Sequence, residues 1–147
     1  MLAATLPEAA RNDVFVATAA VADWRPAQAT DQKIKKDGSG QVPEVRFTEN
    51  PDILATVAQS ERAVSGKLYC VGFAAESHDL QANAQAKRAR KQVPLLVGNI
   101  GPATFGADDN ALLLVDADGV REIPRASKQA LARQLIAEIA ARTTRNN

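Results

Sequence analysis

Three uninterrupted apolar runs mark the first two-thirds of the chain: residues 14–20 (VFVATAA), 68–75 (LYCVGFAA) and 93–97 (VPLLV). Runs of this length without polar alternation fit strands covered on both faces, the habit of parallel sheets under helices. The stretches between them and after them carry helix signals. Asn50-Pro51-Asp52 reads as a helix start, with Asn as N-cap, Pro at the first helical position and an acid in the first turn. The spacing predicts a helix from there to about residue 60–63 that buries Ile53, Leu54 and Val57. Ser77 predicts the cap of a second helix reaching about Gln92, with Pro94 just beyond. Residues 111–115 and 120–123 flank Asp116-Ala117-Asp118-Gly119, a hairpin turn signal. Ser127 predicts the cap of a last helix over 128–142, with Leu131, Leu135, Ile136 and Ile139 at helical spacing. Residues 2–11 are helix-prone without a start signal and read as the end of a helix.

Strand, helix, strand, helix, strand is the βαβ rhythm of a mostly parallel sheet, finished here by an antiparallel hairpin and a closing helix. The expectation is an α/β fold in one domain, with no internal repeat. The exception to the rhythm is residues 21–41 (VADWRPAQATDQKIKKDGSGQ), rich in charge, Pro and Gly. That is long for a loop inside a compact domain, and such loops are commonly functional lids. A weak alternation over 45–48 predicts a short strand after it.

Composition narrows the function classes. Of 147 residues, 46% are hydrophobic and 24% charged, a globular balance. Eighteen basic against seventeen acidic residues leave +1, which argues against a chain that coats nucleic acid or an anionic membrane. No apolar run approaches the roughly 20 residues needed to cross a bilayer, and the first residues show no export signal. Cys70 and His78 are each the only one of their kind, so neither a disulfide framework nor a structural zinc site is available. The expectation is a cytoplasmic protein.

Ligands of open α/β sheets bind outside the carboxyl ends of the strands, which directs attention to the segments after residues 20, 75 and 97. Asp23 follows a run of small residues and stands either at the mouth of such a site or in a tight exposed turn. Lys33-Ile34-Lys35-Lys36, beside Asp37-Gly38-Ser39-Gly40, suits a lid closing on a polyanion, although taken alone it reads first as a solvated charge run. Asn50 to Ile53 offers a helix N-terminus, with Asp52 already complementing its dipole. Phe73 is core, or a platform for a base or sugar. Lys87 and Lys91 lie four apart on one helix face, where lysines also complement the dipole at the helix end. The surrounding Lys87-Arg88-Ala89-Arg90-Lys91 lacks the interleaved aromatics of a nucleic-acid patch. Cys70 reads as inert core and His78 as a surface residue without partners for a triad. The chain has no GxGxxG, Walker A, GxSxG or HExxH pattern.

Taken in order, AAVADWRP (19–26), KIKK (33–36), NPDI (50–53), VGFAAE (71–76) and the Lys87/Lys91 pair resemble the carboxyl-terminal part of the phosphopantothenate–cysteine ligase family, usually fused in bacteria to phosphopantothenoylcysteine decarboxylase. The resemblance spans about residues 14 to 142. It implies a Rossmann-like three-layer sandwich with a mostly parallel sheet and a C-terminal antiparallel hairpin. It implies CTP-dependent joining of cysteine to 4′-phosphopantothenate through an acyl-cytidylate, with Mg2+ accompanying the triphosphate; FMN belongs only to the fused decarboxylase. Such chemistry needs positioning and charge neutralisation more than a dedicated nucleophile. By motif, Ala17, Thr18 and Ala19 would line the nucleotide site through backbone groups, and Asp23 would contact the nucleotide. Lys33 would be the catalytic lid lysine. Asn50, Pro51, Asp52 and Ile53 would hold the nucleotide largely by backbone contacts, and Phe73, Lys87 and Lys91 would complete the pocket. No residue is assigned to the metal. The resemblance also implies a homodimer, acting on small molecules and not on nucleic acid or membranes.

In the family the ligase domain begins earlier, with a Gly-rich strand–turn–helix and an Asn that assists the acyl-cytidylate step. The expectation is therefore a single ligase domain, residues 1–147, truncated at its N-terminus. The rival expectation is a non-catalytic, Rossmann-like fragment that binds a nucleotide or dimerises and does no chemistry.

Overall fold

The computed structural model describes residues 1–147 except 29, 31, 36, 37, 39, 43, 77, 101–105, 146 and 147. In chain order the elements are α1 (Leu2–Ala9), β1 (Val14–Ala17), β2 (Trp24–Pro26), β3 (Phe47–Glu49), α2 (Ile53–Ala58), α3 (Glu61–Val64), β4 (Tyr69–Glu76), α4 (Leu80–Lys91), β5 (Leu95–Ile100), β6 (Asp109–Val115), β7 (Val120–Ser127) and α5 (Lys128–Arg145). They fall into two compact units, one of Met1–Thr18 with Ile53–Asn147, the other of Ala19–Asp52.

The larger unit is an α/β sheet of five strands in the order β1-β4-β5-β6-β7. β1, β4 and β5 run parallel, while β5–β6 and β6–β7 are antiparallel. Side chains alternate across β4 and so feed two cores. Cys70 and Ala74 join Val57, Ala58, Ala84 and Leu96 on the face covered by α1, α2 and α4. Val71 joins Leu95, Val97 and Leu114 on the face covered by Leu131, Leu135 and Ile139 of α5. Leu95, Leu96 and Val97 are fully buried, and each such side chain contributes roughly 1.5–3 kcal/mol by leaving water. Gly72 is required by packing: a Cβ there would stand 2.6 Å from Leu54 Cδ2 and 2.8 Å from Leu96 Cδ1. Its absence lets α2 sit directly on β4.

The smaller unit is an antiparallel ribbon in which Trp24, Arg25 and Pro26 pair with Glu49, Thr48 and Phe47. Among its described residues only Thr48 and Asn50 are even half-buried. Trp24, Ile34, Val42, Val45 and Phe47 are all exposed.

Several expectations need correction. Asn50 is not a helix N-cap. Its side-chain oxygen accepts from Arg25 and its amide donates to the Ala22 carbonyl, and α2 begins only at Ile53. The helix does not run through residue 60. Ser60 adopts an extended conformation and its hydroxyl accepts from the Ala63 amide, which starts α3 afresh. Ile136 is not core: it is 60% exposed, while Leu131, Leu135 and Ile139, spaced by four, face the sheet. β1 is only half covered because it is the edge strand, whereas central β5 matches the fully buried pattern. Residues 24–26, read as loop, form a strand. The fourth residue of the lid motif, Lys36, and the proposed cap Ser77 lie outside the described residues. Asp79 occupies the N-cap position of α4, in the left-handed region at φ 45 and without a side-chain capping bond.

Candidate functional site

The candidate residues fall on both units, and each unit organises its own share. In the ribbon, Asn50 ties two of the sequence motifs together. Its backbone amide donates to the Asp23 carbonyl at 2.7 Å, and its side-chain amide donates to the Ala22 carbonyl at 2.8 Å. Arg25 completes the clasp, donating to the Glu49 carbonyl at 2.9 Å and to Asn50 Oδ1 at 2.8 Å. The turn that presents Asp23 is thereby fixed by a residue 27 positions further along the chain. The Asp23 side chain is itself exposed, as are Ala19, Lys33, Pro51 and Asp52. Among the described residues around it, Lys33 belongs to no helix or strand and is exposed, with Gly38 and Gly40 further on at φ +84 and +75.

In the sheet unit, Ala17 and Thr18 lie at the carboxyl end of β1, with Ala17 in register with Gly72 of β4. Ile53, at the first position of α2, packs half-buried on the core under α1, α2 and α4. Phe73 is half-buried on the opposite core, the one under α5. The sheet thus separates Phe73 from Ile53.

The burial along α4 is unusual. Its covered and half-covered positions are Leu80, Asn83, Ala84, Lys87, Arg88 and Lys91. These recur at spacings of three and four, which is the stripe a helix turns to its sheet. Three of the six are cations, where apolar side chains are the rule. Both candidate lysines therefore occupy the sheet-facing stripe. Lys87 Nζ lies 3.7 Å from Glu76 Oε1, at the last residue of β4. Arg88 Nε donates to the Pro94 carbonyl at 3.3 Å.

Cys70 is fully buried, and burial pushes its thiol up to about 11, so it is protonated and unavailable as a nucleophile at neutral pH. A cavity of about 450 Å3 lies at the other end of β4, lined by Ala58, Leu68, Cys70, Arg88 and Val93 among others, and no candidate residue lines it. Among the described residues no group of three or more His, Cys, Asp or Glu could hold a metal ion, and no helix is long and apolar enough to cross a membrane.

The sequence pattern of one family, described as the DNA/pantothenate metabolism flavoprotein C-terminal domain, matches residues 1–143. The chain belongs to this family. Its curated relatives include the coenzyme A biosynthesis bifunctional protein CoaBC of Vibrio cholerae, 38% identical over 135 residues, and that of Escherichia coli, 36% identical over 151. These alignments cover 90% and 100% of this chain but 33% and 36% of the relatives, so the chain spans about a third of their length. A crystal structure of the C-terminal domain of CoaBC superposes with a TM-score of 0.68 at 27% identity, covering 94% of this chain and 58% of that one. The resemblance drawn from the ordered motifs is thus borne out.

The motif spacing left Arg25 and Glu76 without a role. Arg25 belongs to AAVADWRP and Glu76 to VGFAAE, and each holds a candidate residue in place: Arg25 fixes Asn50, and Glu76 faces Lys87. Their presence inside the motifs was the available signal. Their partners, 25 and 11 positions away, become visible only in the fold.

Proposed function

We propose that this chain is the ligase portion of a coenzyme A biosynthesis enzyme, joining cysteine to 4′-phosphopantothenate at the expense of CTP in the cytoplasm. The observation that carries the reading is its 36–38% identity to CoaBC proteins across 90% or more of its length. The parallel strands β1, β4 and β5 with helices on both faces support the Rossmann-like assignment, whose ligands sit at the strands' carboxyl ends.

In this reading Ala17, Thr18 and Ala19 approach the nucleotide through backbone groups, and Asp23, on its clasped turn, accepts from it. Asn50, Pro51, Asp52 and Ile53 hold it largely by backbone. Lys87 and Lys91 complete the pocket, with Phe73 reaching it through its backbone, since its side chain lies on the face under α5. A carboxylate oxygen of phosphopantothenate attacks the α-phosphorus of CTP, the bond to the bridging oxygen breaks, and pyrophosphate leaves. The cysteine amine then attacks the acyl carbonyl, loses a proton and displaces CMP. Lys33 neutralises charge growing on the phosphates, and its exposed position leaves the ammonium free to move onto them. Magnesium enters with the triphosphate as part of the substrate.

A homodimer is part of this proposal: the ribbon leaves Trp24, Val42 and Phe47 exposed, apolar surface that a second chain would cover. The alternative reading is that the chain binds the nucleotide and dimerises without turnover. Thermal-shift titration with CTP and with ATP, paired with pyrophosphate release in the presence of phosphopantothenate and cysteine, tests both. The ligase reading expects stabilisation by CTP well above that by ATP, and release that needs all three substrates. Equal stabilisation by both nucleotides, or by neither, contradicts it. CTP binding without release leaves the binding module.

A further inference from the structure

Glu76 is the last residue of β4 and shares a strand face with Gly72 and Ala74, the face on which α4 packs. Lys87 comes from the sheet-facing stripe of that helix, two turns in from its start. The two side chains are only 22% and 30% exposed, so their charges are less screened than those of a surface pair. Their separation of 3.7 Å is longer than a hydrogen bond. The attraction is therefore between charges, and no hydrogen bond from Lys87 Nζ is seen among the described residues. The carboxylate thus holds the ammonium by charge without taking up one of its N–H groups.

We infer that Glu76 is a positioning residue: its carboxylate holds the Lys87 ammonium at the carboxyl end of β4, ready to donate to phosphate oxygens of the nucleotide. The inference rests on the ligase reading, in which Lys87 meets CTP. A lysine has a flexible four-carbon stem, and fixing it when the ligand arrives weakens binding. Glu76 settles that cost during folding. Its negative charge also repels phosphate, but Lys87 stands between and offsets it.

The test is calorimetric titration of magnesium–CTP into the chain and into Glu76→Gln, Lys87→Met and the double variant, with melting temperatures measured alongside. Glu76→Gln is expected to weaken CTP about fivefold, with its melting temperature within about 2 °C of the parent, because it preserves size and removes only the charge. Lys87→Met is expected to weaken CTP at least as much. The double variant should bind no more weakly than Lys87→Met, since Glu76 acts through the lysine. The Glu76→Gln deficit should also shrink as salt screens the pair. CTP binding by Glu76→Gln as tight as the parent's, or an equal further loss when it is added to Lys87→Met, overturns the inference and leaves the ligase reading standing. Failure of the parent chain to bind CTP overturns the ligase reading and the inference with it.

Discussion

The sheet unit and the ribbon are held together by different means. In the sheet unit, β5 places Leu95, Leu96 and Val97 wholly out of water, and two cores press on the strands from either side. In the ribbon, among described residues, only Thr48 and Asn50 are half-covered, and large apolar side chains such as Trp24 and Val42 face solvent. Hydrophobic burial stabilises the first. The second depends on a short ladder and on polar clasps such as Asn50 with Arg25. Charge that must move onto a substrate is better carried by the second kind of structure, because nothing in its packing opposes the motion.

The sharpest contrast is in the response to truncation. Leu96→Ala removes a fully buried side chain from beneath α2 and should cost about 2–5 kcal/mol in chemical denaturation. Val45→Ala, at an exposed ribbon position not assigned to the dimer surface, should stay within about 0.5 kcal/mol of the parent. Similar losses at the two sites would show that the ribbon has a core of its own. A subtler strike at the sheet unit is Gly72→Ala, which puts a methyl where Leu54 and Leu96 already stand. Overpacking of this kind should cost about 1–3 kcal/mol, and an additional Leu54→Ala should recover part of it.

A smaller effect sharpens the comparison from the acid side. Burial alone would raise the pKa of Asp116, but the hydrogen bond from Arg142 and those from the Asp118 and Gly119 amides outweigh it, and the carboxyl is held below its usual range. Glu138 is lowered chiefly by its hydrogen bond from Arg142, with a further one from Arg121. A carboxylate whose pKa is depressed by folding contributes stability above its unfolded pKa, and that contribution disappears as pH falls through the folded value. The sheet unit should therefore lose stability as pH drops below about 4, and Asp116→Asn should flatten that limb in melts recorded across pH. An unchanged acid limb in the variant would remove this ion-pair network from the account.

The difference between the units also explains what could be read without coordinates. Residues 68–75 and 93–97 announced themselves because burial on both faces demands continuous apolar runs, and the structure places β4 and β5 there. The ribbon left no comparable trace. Trp24–Pro26 is a three-residue strand exposed throughout, and its partner begins more than 20 residues later. Asn50 looked like a cap because a capping residue and a clasping residue have the same chemistry. Only the arrival of Arg25 at its oxygen decides between them. Ile136 fitted an apolar helical count but lies about 100° around the helix from Leu135, on the solvent side. In the candidate site, the identities of Asp23, Lys33, Lys87 and Lys91 were legible as motif members. That both α4 lysines face the sheet, and that Glu76 meets one of them, follows from tertiary packing that no local spacing encodes.

The central claim is that the ribbon carries chemistry without holding the fold, and Lys33→Gln tests it most directly. CTP-dependent pyrophosphate release, measured in a form of the protein that turns over, should fall by about a hundredfold or more, while the melting temperature stays within about 1 °C of the parent's. Near-normal release in that variant, or a clear drop in its melting temperature, would contradict the account.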